Sequence, residues 1–169
     1  VHIMFWCWEV RLVPWLVSFL ISWVLFGLLA DLRRPAVLLV GGLGAVAVQL
    51  FTDYLGQQLG HYRVLDPVIP LWGSSAFFTF GPVFTMGALF GQYLPAARWL
   101  QGLHIAAFGV LLLLEEHMFM LVGVLEYTGH WSHPASFLIN ILAMTALAWL
   151  AESQRLGWQA PGRRAGALD

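Results

Sequence analysis

The chain alternates long apolar runs with short polar turns. Residues 12–30 contain no charged side chain, and a helix needs about 20 apolar residues to cross a hydrocarbon core of ~30 Å. Four further apolar runs cover residues 36–53, 71–94, 99–125 and 134–150. The pattern predicts an all-α fold, a polytopic membrane helical bundle of about five transmembrane helices.

Polar and Gly- or Pro-rich segments separate the runs. Residues 60–70 are interrupted by Gly60, Asp66 and two prolines, so we expect a loop or a short re-entrant piece there. Pro82 falls within the third run and predicts a kink. Residues 1–151 are expected to form one integral membrane domain. The polar segment 152–169 is expected to be a disordered cytoplasmic tail.

Composition agrees with a membrane protein. Of the 169 residues, 60% are hydrophobic and 10% are charged, and the mean hydropathy is +0.76, whereas about a quarter of the residues are charged in a typical soluble domain. The net charge of −1 provides no field for a polyanion, which argues against nucleic acid as a partner. A single cysteine excludes an intrachain disulfide and a thiolate metal cluster. No cofactor is predicted.

The fourth run carries acidic residues where a charge is costly. Glu115, Glu116 and His117 follow four leucines, and a carboxylate at membrane depth costs at least ~2.5–3.5 kcal/mol, so such residues usually face the bundle and mark a site. His104, Glu115 and Glu126 are eleven residues apart, a spacing that turns a helix only ~20° beyond three turns. We therefore expect Glu115 to face the other helices, with Glu116 ~100° away and nearer the edge.

Two interpretations of these acids remain open. A carboxyl group within a membrane helix can be retained only to fix packing through an interhelical hydrogen bond. Three ionisable residues in a row exceed what one such bond requires, so the second interpretation is a functional site with Glu115 or Glu116 as a catalytic acid.

Acidic, histidine and aromatic residues also collect in the loops at one end of the predicted bundle. Glu126, His130 and His133 have a spacing that could supply metal ligands, together with Asp53 or His61. Gly129 and Pro134 would break the helix that aligns them, so no metal site is predicted. The candidate ligand-binding residues are Asp53, His61, Tyr62, His104, Glu126, Tyr127, His130 and Trp131.

Several short motifs together suggest a family. Their residues are Asp53, Gly60, Tyr62, Pro67, Pro70, the QYLP sequence at 92–95, Glu115, Glu126, Tyr127 and Trp131. This arrangement resembles a family of uncharacterised small polytopic bacterial membrane proteins, which have an Asp, a Gly-x-Tyr and a proline-rich loop between the second and third spans. The resemblance covers most of the chain and implies a membrane location but no particular activity.

A second resemblance is local. Glu115, Glu116 and Phe119 match the Pro-x-Glu-Glu-x-x-Phe element of lycopene-cyclase-like membrane cyclases, with Leu113 at the proline position. It implies a carotenoid or terpene substrate and a buried carboxylic acid that protonates an alkene. Aromatic faces would stabilise the resulting cation.

Three functional hypotheses follow. The first is an integral membrane protein of unassigned activity whose acidic and histidine-rich site, in and above the fourth span, binds a membrane lipid or a hydrophobic, amphipathic small molecule. The second is a membrane-embedded isoprenoid cyclase that uses a buried glutamate as its acid. The third is a proton-coupled transporter. It ranks last because five spans without an internal repeat provide little for alternating access.

Arginine positions predict the orientation of a multi-pass protein in the cell membrane. Six arginines fall on one side of the five predicted spans and two on the other, and arginine is enriched on the cytoplasmic side. The six are Arg33, Arg34, Arg98, Arg155, Arg163 and Arg164; the two are Arg11 and Arg63. The C-terminus is therefore expected in the cytoplasm.

Cysteine labelling tests this orientation. In a Cys7→Ser background, Ser132→Cys should react with a membrane-impermeant thiol reagent in intact cells, because residue 132 is expected outside. Arg98→Cys should react only after the cells are permeabilised. The opposite pattern would show that the orientation is inverted.

Overall fold

The computed structural model describes the backbone of residues 2–157 and the side chains of residues 12–155. Most of these residues are helical. Four helices contain segments long and apolar enough to cross a membrane, at Leu12–Leu29, Pro35–Gln58, Arg98–Leu121 and His133–Arg155. In chain order the elements are α1 His2–Leu29, α2 Pro35–Gln58, β1 Tyr62–Val64, β2 Pro70–Leu71, β3 Ser74–Ser75, α3 Ala76–Phe78, a π-helix Thr79–Val83, α4 Phe84–Tyr93, α5 Arg98–Leu121, β4 Leu125–Tyr127 and α6 His133–Gly157.

The third apolar run, predicted as a helix over 71–94, begins differently. Its first residues form the two-stranded pair β2–β3, and the turn between them places Trp72 and Gly73 at positive φ. The helical part begins at Ala76 and includes the π-helix around Pro82. Proline has no backbone N–H, and a wider turn accommodates the missing bond. The predicted irregularity at Pro82 is thus a π-helical turn.

The fourth run, predicted as a helix over 99–125, leaves the helical path earlier. Helix α5 ends at Leu121, and Gly123 adopts φ +75°, a conformation that favours glycine. Strand β4 then pairs antiparallel with β1, which lies in the segment predicted as a loop. Because Glu126 lies on β4, it does not continue the helical stripe expected for His104 and Glu115.

The C-terminal helix extends past the predicted boundary at residue 151. Helix α6 continues to Gly157. Arg98 forms a 2.9 Å ion pair with Glu152, and Arg155 donates a hydrogen bond to the carbonyl of Leu94. These contacts hold the last turns of α6 against α5 and the end of α4. The rest of the predicted disordered tail, residues 158–169, lies outside the described residues.

Small residues allow α2 and α4 to approach closely. A Cβ atom added at Gly41 would lie 2.5 Å from the carbonyl oxygen of Gly87, and one at Gly42 would meet the ring of Phe84. Small residues at such crossings bring backbones together in membranes, where packing rather than water exclusion drives helix association. The adjoining core includes Phe90, which is fully buried between α4 and its neighbours.

The outer surface is strongly apolar. Leu28 and Trp149, for example, are 76% and 71% exposed. Exposed apolar patches larger than a few hundred Å² are rare in soluble monomers. This surface is consistent with helices that contact lipid chains.

The two ends of the bundle differ chemically. At one end, which we call the arginine end, the backbone N–H of Asp31 donates to Gln92 Oε1 at 2.9 Å, and Arg98 pairs with Glu152. At the other, the loop end, the β1–β4 and β2–β3 pairs form between the helices. The turns 31–34 and 95–97 therefore lie at the same end as the last turns of α6.

A glycine pair tests the close packing of α2 on α4. Gly41→Ala should lower the stability of the purified protein by about 1–3 kcal/mol, because the new methyl group meets backbone that cannot easily move. Gly102→Ala is the matched control, since a Cβ there has nothing within 4 Å. Thermal unfolding in detergent measures both. Equal melting temperatures for the two variants would contradict the close packing.

Candidate functional site

A cavity of about 250 Å³ lies towards the loop end of the bundle. Helices α1, α2, α5 and α6, the β1–β4 pair and the start of the third helical run all contribute to its wall. The lining residues used below are Trp15, Gln49, Asp53, Leu55, Leu59, His61, Tyr62, Ser74, Phe78, Glu116, Phe119, Tyr127, Trp131, Ser136, Ile139 and Asn140.

Asp53 supplies the first carboxyl group of the cavity. It lies near the end of α2 and is 6% exposed. The hydroxyl of Tyr62 donates to Asp53 Oδ1 at 2.6 Å, and Gln49 and Ser74 also interact with this carboxyl group. Gly56 makes room for the Tyr62 ring, which a Cβ atom would strike. Burial and the adjacent Asp53 raise the pKa of the Tyr62 phenol above its usual value.

Glu116 on α5 supplies the second carboxyl group. Tyr127 donates to its Oε2 at 2.8 Å, Ser136 donates to the same oxygen, and Asn140 donates to Oε1 at 3.2 Å. The last two donors lie on α6, so this carboxyl group joins α5 to α6. Burial, together with the nearby Glu116, raises the pKa of the Tyr127 phenol.

The strand pair β1–β4 positions both tyrosines. Tyr62 and Tyr127 are direct partners in its antiparallel register, and side chains of such partners lie on the same face. One tyrosine donates to Asp53 and the other to Glu116. The strand pair thus brings the hydrogen-bonded carboxyl groups of α2 and α5 to one cavity.

Aromatic rings form much of the remaining wall. Trp15 is 2% exposed and packs on Phe119 with a centroid distance of 4.8 Å and on Phe78 at 6.3 Å. Trp131 stacks on His61 at 4.4 Å with an interplanar angle of 16°. The indole Nε1 atoms of Trp15 and Trp131 are buried without a hydrogen-bond partner. A buried unpaired donor costs about 1–3 kcal/mol.

The two adjacent glutamates point to different neighbours. Glu115 accepts a 2.8 Å hydrogen bond from Ser18 on α1 and does not line the cavity, whereas Glu116 does. The sequence predicted that Glu115 faces the other helices and that Glu116, ~100° away, lies nearer the edge of that interface. Glu115 does contact another helix, α1, whereas Glu116 contacts α6 and lines the cavity. The stripe from His104 to Glu126, which belongs to a strand, did not identify the face that meets α6.

The sequence candidates divide into two groups. Asp53, His61, Tyr62, Glu116, Tyr127 and Trp131 line the same cavity. His104 is separate from it, with its Nε2 3.2 Å from the carbonyl oxygen of Phe90 and its ring packed on Phe90 and Phe108. Exposed Glu126 lies opposite Arg63 in the strand register, and His130 is also exposed.

The candidate metal ligands at the loop end do not form a cluster. His133 Nε2 lies 3.3 Å from Nδ1 of His117, and its ring contacts Tyr127. Over the described part of the chain, no group of three His, Cys, Asp or Glu residues is arranged to hold a metal ion. Glu126, His130 and His133 therefore do not come together as ligands.

Sequence reasoning missed several residues of the cavity. Ser136 and Asn140 are four residues apart on α6, and Gln49 and Asp53 have the same spacing on α2. Such pairs lie on one helix face. A polar pair at this spacing inside an apolar run was a usable signal. Trp15 gave no such signal, because tryptophan is common at many depths of membrane helices.

Comparison with known proteins gives no match to a family model, to a curated protein or to a solved structure. The two resemblances based on short motifs therefore stay predictions.

The adjacent glutamates provide a matched test of the site geometry. Glu116→Leu should destabilise the protein by several times more than Glu115→Leu, because it removes the acceptor of Tyr127, Ser136 and Asn140. Each donor left unpaired in a buried site costs about 1–3 kcal/mol. The control variant, Glu115→Leu, removes only the acceptor of the Ser18 hydroxyl group.

Thermal unfolding in detergent compares the two variants with the parent. A Glu116→Leu protein as stable as the parent would contradict the hydrogen-bond network described above.

Proposed function

We propose that the chain is a multi-pass protein of the cell membrane with five spans. The four long apolar helices support four of them. The fifth would be the continuous helical run formed by α3, the π-helix and α4, which contain 3, 5 and 10 residues. Their sum of 18 residues corresponds to about 27 Å at 1.5 Å per residue, close to the hydrocarbon thickness.

The proposed orientation places the arginine end in the cytoplasm. Arg33, Arg34, Arg98 and Arg155 all belong to that end, which is the arrangement that the positive-inside rule favours. The loop end and the cavity beside it then lie towards the outer leaflet.

Within this membrane setting, the cavity binds a lipid or an amphipathic small molecule. One observation carries this proposal: the cavity combines the buried carboxyl group of Asp53 and the half-buried one of Glu116 with a mostly apolar, aromatic lining. Binding sites for small molecules typically have apolar walls and a few convergent polar groups. The head of an amphipath would contact Asp53 and Glu116, and its chain would contact the apolar wall.

The same wall offers a route for the chain of the ligand. Leu55 on α2, Leu59 just after it and Ile139 on α6 line the cavity and are 39%, 66% and 36% exposed. We infer from these exposed lining residues that the cavity reaches the outer surface of the bundle between α2 and α6. In a bilayer an acyl chain could leave the cavity sideways along this opening, without crossing the loop end.

A second candidate function is acid catalysis on an isoprenoid chain. The supporting observation is that Glu116 shares the cavity with aromatic rings of Trp15 and Phe119. A carboxylic acid can protonate an alkene, and aromatic faces stabilise the cation that forms. Under this proposal Glu116, rather than Glu115, would be the acid. A proton-coupled transporter would use the same carboxyl groups as a relay and remains the third candidate.

Lipid extraction and native mass spectrometry of the purified protein test ligand binding. We expect a co-purifying amphipath, and Ile139→Trp should reduce its amount at least tenfold by filling the opening. Leu138→Trp is the matched control because Leu138 is 63% exposed and does not line the cavity. A prenyl chain among the extracted lipids would favour the cyclase.

The proposal would be overturned by a protein that carries no amphipath and binds none when it is added. An equal amount of ligand in the Ile139→Trp and Leu138→Trp variants would place the bound molecule elsewhere on the protein.

A further inference from the structure

Asp53 and Glu116 are the acidic residues of the cavity, and His61, which stacks on Trp131, also lines it. No lysine or arginine occurs among the lining residues that the structure describes. In the described part of the chain, the donors to the two carboxyl groups are hydroxyl and amide groups. A cation that enters the cavity would stabilise the ionised form of both carboxyl groups, which an apolar surrounding otherwise solvates poorly.

The walls suit an organic cation. Aromatic rings of Trp15, Tyr62, Tyr127 and Trp131 line the same cavity as the carboxyl groups. A ring face attracts an ammonium group within about 6 Å of its centroid, and aromatic cages are a common means of binding amines. A metal ion fits less well, because the described residues include no group of three metal ligands.

We propose that the ligand of this cavity is an amphipathic amine whose head group bears a cationic nitrogen. The nitrogen is held by Asp53 and Glu116. This inference rests on the proposed amphipath-binding function and names the chemical class of the head group. The volume of about 250 Å³ holds the head and the first part of the chain, and the remainder extends past Ile139.

Three twelve-carbon probes, each with a hydroxyl group on C1 or C2, test the head-group class. They are 2-aminododecan-1-ol, dodecane-1,2-diol and 2-hydroxydodecanoate, which are cationic, neutral and anionic at pH 7. Binding to the full-length protein in lipid nanodiscs is measured by tryptophan fluorescence and by isothermal titration calorimetry. We expect the amine to bind at least tenfold more tightly than the diol, and the carboxylate to bind most weakly.

Two neutral isosteres assign the preference to the carboxyl groups. Asp53→Asn and Glu116→Gln should each reduce the preference for the amine over the diol about tenfold. Glu115→Gln is the matched control, because its carboxyl group contacts Ser18 outside the cavity. The ranking of the three probes on the parent protein needs no variant, so it stays decisive if an isostere fails to fold.

The outcomes separate this inference from the proposed function. Equal binding of diol and amine, or tightest binding of the carboxylate, would overturn the cationic head group while the amphipath-binding function stands. Binding of none of the three would overturn both. A preference for the amine that persists in both isosteres would also overturn the inference, because the selectivity would then come from the nanodisc surface or another site.

Discussion

The interaction on which the site depends is the hydrogen bonding of two carboxyl groups inside the bundle by two tyrosines that lie opposite each other on short strands. Asp53 and Glu116 lie on different helices, and each would be costly in an apolar surrounding without donors. Tyr62 and Tyr127 supply those donors from partner positions in one strand pair. The β1–β4 pair therefore holds polar groups of two helices together, as an interhelical salt bridge would. It does so through neutral hydrogen-bond donors rather than through a cation.

This arrangement explains why the helices end where they do. If α5 continued to residue 125, Tyr127 would follow a helical path and could not pair with β1. The turn at Gly123 follows α5 and leads into β4, and the turn at Gly60 follows α2 and leads into β1. Ser136 and Asn140 then complete the coordination of Glu116 from α6, so three segments meet at one carboxyl group.

In the proposed function, the arrangement would provide the basis for selective binding. Hydroxyl and amide donors satisfy the carboxyl groups, and aromatic rings line the same cavity. A cation that enters would stabilise the ionised carboxylates. The proposed opening between α2 and α6 would face the apolar surface of the bundle, which would suit a ligand that arrives from the membrane.

The sequence by itself determined the helical character of the chain and the positions of its apolar segments, because hydrophobic length is a local property. It also singled out Asp53, Tyr62, Glu116, Tyr127 and Trp131, since polar and aromatic residues are conspicuous beside membrane spans. Only the tertiary structure decided which acid lines the cavity. The choice between Glu115 and Glu116 depends on the rotation of α5 against α2 and α6 and on a strand pair that joins residues more than sixty positions apart. Neither is encoded in the periodicity of a single segment.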